Sequence, residues 1–545
     1  MFRKPCKPSK LSDLKERKLR KRMEKVQPQT AVLEEPFSAD IETNVRKFQR
    51  IFGNTGDLSR RDFLLEGEQG VEVVLFYIDG LVDKGAISEV VLKPFLFHNL
   101  DEEEKRLLPG NAYQLIKTSL ITSAEVKEAE KFSELVDLVL VGHVAVFVEG
   151  SEKVLAVDVK GWKDRGVEEP ESEAFIRGPR EGFTETLRTN TALIRRRIKT
   201  PNLEFNTITV GEYTKTDVCV VYIRGLTNPD IVREVESRIR RIKTDGILES
   251  GYLEDFIEDD YKTPFVLVDR TERPDKVAAG LLEGKVAILV DGTPFALIVP
   301  VVFGEILQSA EDYYEGNDYI RPIRWIALLV ALFLPSFYVA LTTFHQEMIP
   351  PGLALSMAAG REGVPVPAAV EAFMMEITFD FLREAGIRMP RPVGQAIGIL
   401  GAVVIGQAAV AAGVVSPIMV IVVSLTAICS FLIPNYSASV AIRFLRYIML
   451  LLGGVLGLVG VFWGMMMLLL HLASLRSFGI PYLYPVAPMV SRELRDIFVR
   501  TPWWTMDERP RLLRTSDQRR QAPGQRPRPP QSGRRRKSGE DQDEY

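Results

Sequence analysis

The sequence predicts an α/β domain in two lobes followed by an all-α polytopic membrane domain. Two observations carry that prediction. Apolar and charged residues are segregated along the 545-residue chain, so the mean hydropathy of +0.03 averages two unlike regions. Strand-like apolar runs alternate with helically spaced segments up to about residue 320, whereas 325–473 is mostly apolar. The expected divisions are a basic disordered arm at 1–40, the α/β domain at 41–320, a transmembrane helical domain at 321–500, and a disordered basic tail at 501–545.

The arm carries "KERKLRKRMEK" (Lys15 to Lys25) and the tail carries "GRRRK" (Gly533 to Lys537). Such runs stay solvated or attach to an anionic membrane surface. The net charge of −3 sums opposite blocks and indicates little about partners. Cys6, Cys219 and Cys429 are far apart, so neither a disulfide framework nor a zinc cluster is expected. The N-terminus is charged and has no apolar signal-peptide core, which predicts a cytoplasmic α/β domain.

Within that domain, "VEVVLFYIDG" (Val71 to Gly80) is an apolar run stopped by Asp-Gly, a strand signature. "VDLVLVGHVAVFVEGSEKVLAVDVK" (Val136 to Lys160) reads as two or three strands around the Glu149–Lys153 turn, and "FNTITVGEYTKTDVCVVYIRG" repeats that logic. Helical spacing falls on Phe183–Ile198 and Asp230–Ile242. The first of these holds Arg188, Arg195, Arg196 and Arg197, a solvated face or a salt-bridged contact between subunits. No stacking aromatics accompany them, so nucleic acid is not an expected partner.

Four segments are candidates to cross a bilayer: Trp325–Phe344, Pro392–Gly413, Ser416–Pro434 and Tyr447–Ala473. The first spans about 30 Å as a helix, with a kink expected at Pro335. Four spans keep both basic ends on the cytoplasmic side. They also put Arg383, Arg388, Arg391, Arg443 and Arg446 outside, which the positive-inside rule disfavours. Arg321 and Arg324, in "RPIR" just before the first span, are the expected coupling between domains.

Between these spans lies "VEAFMMEITFDFLREAGIRMP", predicted as an amphipathic helix at 367–386. Glu376, Asp380 and Glu384 fall at i, i+4 and i+8 and form one stripe; Glu371 precedes it in the same segment. Phe373, Ile377 and Phe381 form the neighbouring apolar stripe. One charged side chain at the bilayer centre costs ~2.5–3.5 kcal/mol, so four facing lipid would cost on the order of 10 kcal/mol. The helix therefore either lies in the interface, its acids meeting Arg383 and Arg388, or turns its carboxylates to a cation path among several copies.

No phosphate-binding loop or HExxH motif is present, and the four histidines show no ligand spacing. Neither catalysis nor a cofactor nor a metal is expected. A secondary transporter would require paired broken helices and an internal repeat in the membrane domain, and none is visible.

Several ordered motifs resemble the GerA family of spore germination proteins: "LRTNTALIRRRI", "TERPDKVAAGLLEGKVAILVDGTPFALIVP" (Thr271 to Pro300), the acidic helix, "GAVVIGQAAVAAGVVSPIMVIVV" (Gly401 to Val423) and "FGIPYLYPVAP" (Phe478 to Pro488). The resemblance runs from about 40 to 500. It implies the A subunit of a nutrient germinant receptor in the inner membrane of a dormant spore. Its implied partners are a transporter-like B subunit that receives the nutrient and a lipoprotein C subunit. It further implies a homo-oligomer forming a ligand-gated ion channel; in such a channel the acidic helix read above makes Glu371, Glu376, Asp380 and Glu384 the candidate pore or gating residues. The A-like protein of the dipicolinate-release group is the alternative, but "VSPIMV" and "PNYSASVAIRFLR" look more like nutrient-receptor members. Ala411 and Gly398 depart from the family pattern, standing where an acidic residue and a serine are common.

Overall fold

A computed structural model describes residues 32–65, 70–94, 112–121, 125–161, 169–170, 173, 175–316, 318–389 and 406–527. The first lobe begins with α1 (Ile41–Phe52), whose N-terminus Asp40 caps by accepting from the Glu42 and Thr43 N–H groups. Its Ile41, Val45, Phe48 and Phe52 lie on one face and are buried. There follow β1 (Leu58–Leu65), β2 (Val71–Ile78), β3 (Val126–Ala129), α2 (Phe132–Val139), β4 (His143–Val148) and β5 (Val154–Asp158). The strands pair antiparallel in the order β1-β2-β4-β5-β3. β2 and β4 are apolar almost without alternation because both sheet faces are covered. Phe48, Phe132 and Phe147 pack on one face, and Ile87, Val91 and Ile116 on the other.

The second lobe runs α3 (Leu187–Arg197), β6 (Leu203–Val210), β7 (Thr216–Ile223), α4 (Pro229–Arg241), α5 (Ser250–Ile257), β8 (Asp269–Thr271), α6 (Pro274–Glu283), β9 (Val286–Val290) and β10 (Ala296–Val299). Its sheet order, β6-β7-β9-β10-β8, repeats the first. The lobes are two copies of one fold, and side chains echo the duplication. Asn44 Nδ2 donates to Ser38 O at 2.6 Å, while its Oδ1 accepts from Ser38 N at 3.0 Å. Asn190 makes the same pair with Thr184, at 2.6 and 2.8 Å.

The helical domain contains α7 (Ile320–Phe344), α8 (Pro351–Arg361), α9 (Ala368–Arg388), α10 (Pro417–Phe431) and α11 (Tyr436–Ser474). By length and composition, α7 and α11 are long and apolar enough to cross a membrane. α7 runs through Pro335 as one helix. α10 has only 15 residues, about 22 Å, and falls short of the Ser416–Pro434 span the sequence predicts. The Pro392–Gly413 span lies mostly outside the described residues; Gly406–Ala411 is helical.

The 39-residue α11 corrects the expected fourth span, because it is a hairpin and not one rod. Gly457 breaks it at φ 64°, ψ −147°, a region that side chains other than hydrogen exclude. The arms 436–456 and 458–474 then run antiparallel. A Cβ at Gly460 would sit 2.2 Å from Leu452 O, and one at Gly464 would sit 2.6 Å from Met449 Sδ. The sequence run Tyr447–Ala473 therefore straddles a reversal whose arms need hydrogen side chains to meet. Gly457→Ala is expected to lower stability by at least ~1–3 kcal/mol. The control Gly363→Ala, whose added Cβ meets nothing within 4 Å, is expected to be near neutral. Thermal unfolding of the purified variants in detergent checks this.

The reversal also changes the topology. Asn435 Nδ2 donates to Asp269 Oδ1 at 3.0 Å, and His471 Nε2 lies 2.9 Å from Thr263 Oγ1, so both ends of α11 meet the second lobe. Ala369, at the start of α9, abuts Gly454 beside the hairpin turn, which puts Arg388 at the lobe-facing end.

The two ends of the chain also depart from expectation. Residues 32–40 are part of the first lobe: Phe37 is buried, and Val32 and Leu33 pack on its core. The expected disordered tail is ordered over 501–527. Leu513 joins the second lobe's core, Arg509 Nε donates to Leu282 O at 2.8 Å, and Arg520 pairs with Glu283 at 2.9 Å. These tail arginines find fixed carbonyl and carboxylate acceptors, which is why a basic segment settles there. Residues 1–31 and 528–545 lie outside the described residues.

Candidate functional site: charged pairs inside the helical domain and at its root

α9 begins where Pro367 cannot continue the preceding backbone as helix, and it ends at Arg388. Three of its carboxylates, Glu371, Glu376 and Asp380, point inward. The Glu371 carboxylate, fully buried, accepts from the Ser416 backbone N–H at 2.6 Å and from the Ser416 hydroxyl at 2.7 Å, with Arg361 3.7 Å away. Glu376 and Arg446, both buried, pair at 2.9 Å. Asp380 takes Arg443 at 3.3 Å and the Tyr447 hydroxyl at 2.6 Å. Glu384 lies beyond these contacts, exposed, on Arg388 at 2.7 Å. The predicted stripe thus divides: Glu376 and Asp380 face the arm 436–456, and Glu384 does not.

The apolar stripe divides too. Phe373 stacks on Tyr447, with ring centroids 6.0 Å apart, but Ile377 and Phe381 are exposed, Phe381 at 71%. A helix with charges inside and apolar groups outside suits apolar surroundings. In such surroundings a buried carboxylate persists only if it is paired. Arg383, expected to meet the acids, instead donates to Ser430 Oγ at 3.0 Å and lies 4.0 Å over the Phe431 ring.

The second cluster holds the root of α7. Arg321 is 1% exposed and reaches Asp312 at 3.1 Å and Asp496 at 3.0 Å, with the Tyr313 ring 4.8 Å away. Arg324 shares Asp312 at 2.8 Å and donates to Leu307 O at 3.1 Å. Asp496 belongs to α12 (Ser491–Phe498) and also accepts from the Tyr313 hydroxyl at 2.6 Å. Burial raises the Tyr313 phenol above its ordinary value, Arg321 opposes that rise, and Asp496 adds to it. α12, 175 residues from Arg321 in sequence, therefore meets the stretch just before α7 on these arginines.

A second connection, which no periodic sequence signal marks, ends at the first residue of "FGIPYLYPVAP". After α11, Ser477 Oγ donates to Leu267 O at 2.7 Å and accepts from Val301 N at 3.1 Å. Phe478 enters the core of the second lobe; its N–H donates to Asp259, and the Arg238 guanidinium lies 4.4 Å over its ring. No hydrophobic period marks this short turn, so only its aromatic and glycine content could have flagged it.

Two of the α3 arginines, Arg188 and Arg195, join the lobes within the chain. Arg195 is fully buried, donates to both Asp57 carboxylate oxygens at 2.9 Å, and also bonds Thr200 O and Leu203 O. It faces no other subunit, which corrects that part of the expectation. Arg188 reaches Asp79 at 3.8 Å across the same joint. Arg196 and Arg197 pair with Glu181 at 3.6 and 2.7 Å. Among the described residues, no group of three or more His, Cys, Asp or Glu side chains converges to hold a metal ion.

Comparison with known proteins places this architecture. The family model "Bacillus/Clostridium GerA spore germination protein" matches residues 46–512. The chain belongs to the GerA family. This GerA protein is 44% identical to the uncharacterized membrane protein YfkQ of Bacillus subtilis, over 87% of this chain and 91% of that one. Spore germination protein KA of the same organism is 42% identical, over 90% of each chain. Stage V sporulation protein AF, also of B. subtilis, is 33% identical over 83% and 90%. Among solved structures, the N-terminal domain of the A subunit of the Bacillus megaterium spore germinant receptor GerK3 is 35% identical. It covers 50% of this chain and 98% of that one, with a TM-score of 0.40.

Proposed function

We propose that this GerA protein is the A subunit of a nutrient germinant receptor, a membrane-embedded homo-oligomer that opens a cation path. It sits in the inner membrane of the spore with both lobes in the cytoplasm, beside a transporter-like B subunit and a lipoprotein C subunit. The observation that carries this reading is the set of buried carboxylate–arginine pairs inside an apolar helical domain. An enzyme has no evident use for them, whereas a gate does, because such pairs can be exchanged for others when helices shift. Glu371, Glu376 and Asp380 are the gating residues in this reading, and Glu384 is the exposed acid at the mouth of the path.

Topology supports it. With Arg388 at the lobe-facing end and α11 folded back, the arginines of α9 and α11 gather toward the lobes, which suits a cytoplasmic side. The identity to spore germination protein KA exceeds that to stage V sporulation protein AF, which supports a role in germination.

The test is cation flux into liposomes bearing the A subunit, alone and with B and C, for wild type and Glu376→Gln/Asp380→Asn. Flux in the double variant is expected to change several-fold, because Arg446 and Arg443 lose their partners. Equal flux would remove α9 from the ion path. No flux in any preparation would leave a scaffolding role.

A further inference from the structure

In the lobe-facing half of the helical domain, the described acids and arginines pair one to one, with Arg383 left over. Glu376 takes Arg446 at 2.9 Å, Asp380 takes Arg443 at 3.3 Å and Glu384 takes Arg388 at 2.7 Å. Arg383 meets no carboxylate among the described residues. It donates to Ser430 Oγ at 3.0 Å, and its guanidinium lies 4.0 Å over the Phe431 ring. Residues 390–405, which lie outside the described ones, contain no Asp or Glu that could serve it. Arg443 and Arg446 are near enough to repel it, and each keeps a buried Nε without an acceptor among the described residues. The cluster therefore sets three guanidiniums against the carboxylates of Glu376 and Asp380. In apolar surroundings an uncompensated charge takes a counter-charge from whatever lies beside it.

The surroundings say what lies there. Arg383 is part-buried, and Phe431 beneath it and Ile387 one turn on are exposed apolar groups. Arg383 lies five residues, about 7.5 Å of helix, short of Arg388 at the lobe-facing end. A long side chain at that depth reaches the head-group layer. From beside Phe431, the exposed residues Leu432, Ile428, Leu425 and Ile421 form one stripe along α10. That stripe leads away from the lobes, since Ser416 at the other end of α10 meets Glu371.

We infer that Arg383 binds the phosphate of an anionic phospholipid in the lobe-facing leaflet, with one acyl chain lying along the α10 stripe. The planar guanidinium fork matches phosphate oxygens, and basic pockets between helices on the cytoplasmic side suit such head groups. A net negative lipid is favoured over a zwitterionic one, whose own cation would be brought toward Arg443 and Arg446. Because Arg383 belongs to α9 and Ser430 and Phe431 to α10, an occupied site ties the acidic helix to α10. This inference rests on the membrane placement proposed above, and not on ion conduction.

The full chain, purified in detergent, is titrated with phosphatidylglycerol, with phosphatidylcholine of the same chains and with inorganic phosphate, and bound species are counted by native mass spectrometry. Phosphatidylglycerol is expected to fill a saturable site about fivefold more tightly than phosphatidylcholine, and inorganic phosphate is expected not to bind. Arg383→Gln keeps a donor for Ser430 but removes the charge. Phe431→Glu, at an exposed position, supplies Arg383 with a carboxylate from within the chain. Each is expected to abolish the preference for phosphatidylglycerol. Arg388→Gln removes an exposed cation that Glu384 already holds, and is expected to leave the preference intact. Equal binding of the two lipids, a preference that both folded variants keep, or an equal loss in Arg388→Gln, the mark of diffuse attraction, would overturn the assignment. Binding of inorganic phosphate as tight as that of the lipid would give the site to a free anion instead. Two variants on different helices keep the test decisive if one misfolds. None of these measurements reads ion flux, so their failure and that of the channel proposal are separable.

Discussion

Arg195→Met is expected to destabilise the α/β domain by ~3–5 kcal/mol. The guanidinium is wholly buried between lobes, and it satisfies both oxygens of Asp57 together with the carbonyls of Thr200 and Leu203. Methionine fills much of the volume but leaves Asp57, 1% exposed, as an uncompensated charge. Removing both charges in Arg195→Met/Asp57→Leu should recover most of the loss, leaving the cost of two unbonded carbonyls, about 1–3 kcal/mol each at most. Urea unfolding of the purified chain gives the two differences. A single variant within about 1 kcal/mol of wild type, or a double variant no better than the single, would mean that the pair does not hold the lobes.

Much of this architecture was legible in the sequence, for identifiable reasons. β2, β4, β7 and β9 show as apolar runs because both faces of each sheet are covered, so burial leaves no alternation to misread. The segregation of apolar residues beyond 320 marked the helical domain for the same reason: composition survives any error in period. α9 was legible in extent, to within two residues at each end, because its proline start and its 3.6 spacing are local signals.

The misses were of contacts that no local pattern encodes. The α11 reversal is signalled only by glycines at 457, 460 and 464, which in a long apolar run read equally as helix packing. The duplication of the lobes was present in "YIDGL" (Tyr77 to Leu81) and "YIRGL" (Tyr222 to Leu226), but those strings lie 145 residues apart and differ at the charged position. That difference reflects use. Asp79 faces Arg188 across the joint, while Arg224 donates to Ile51 O at 2.7 Å, so each copy turns the same turn to a different partner. In sequence Arg195 reads with its neighbours as a solvated face or a salt-bridged contact between subunits. Its burial depends on Asp57, 138 residues earlier, which no spacing rule reaches.

Arg321→Glu is expected to abolish the response to germinant while the protein stays in the membrane. The substitution puts a third carboxylate beside Asp312 and Asp496, in a site where Asp312 is 1% exposed. Arg324, still bonded to Asp312 at 2.8 Å, can answer only one of them. The root of α7 must then open, although its apolar length, which would keep it in a bilayer, is untouched. Arg324→Glu disturbs Asp312 but leaves the Arg321–Asp496 contact, so its effect should be smaller. Spores carrying each variant are scored for nutrient-triggered loss of refractility, with the chain's amount in the membrane fraction as control. A normal response in Arg321→Glu spores would mean that movement reaches the helices by the other route, through Ser477 and Phe478 at the end of α11. The ranking of the two arginines separates these cases: a clamp on α7 requires Arg321 to matter more, whereas a general loss of positive charge at the root would make the two variants equal.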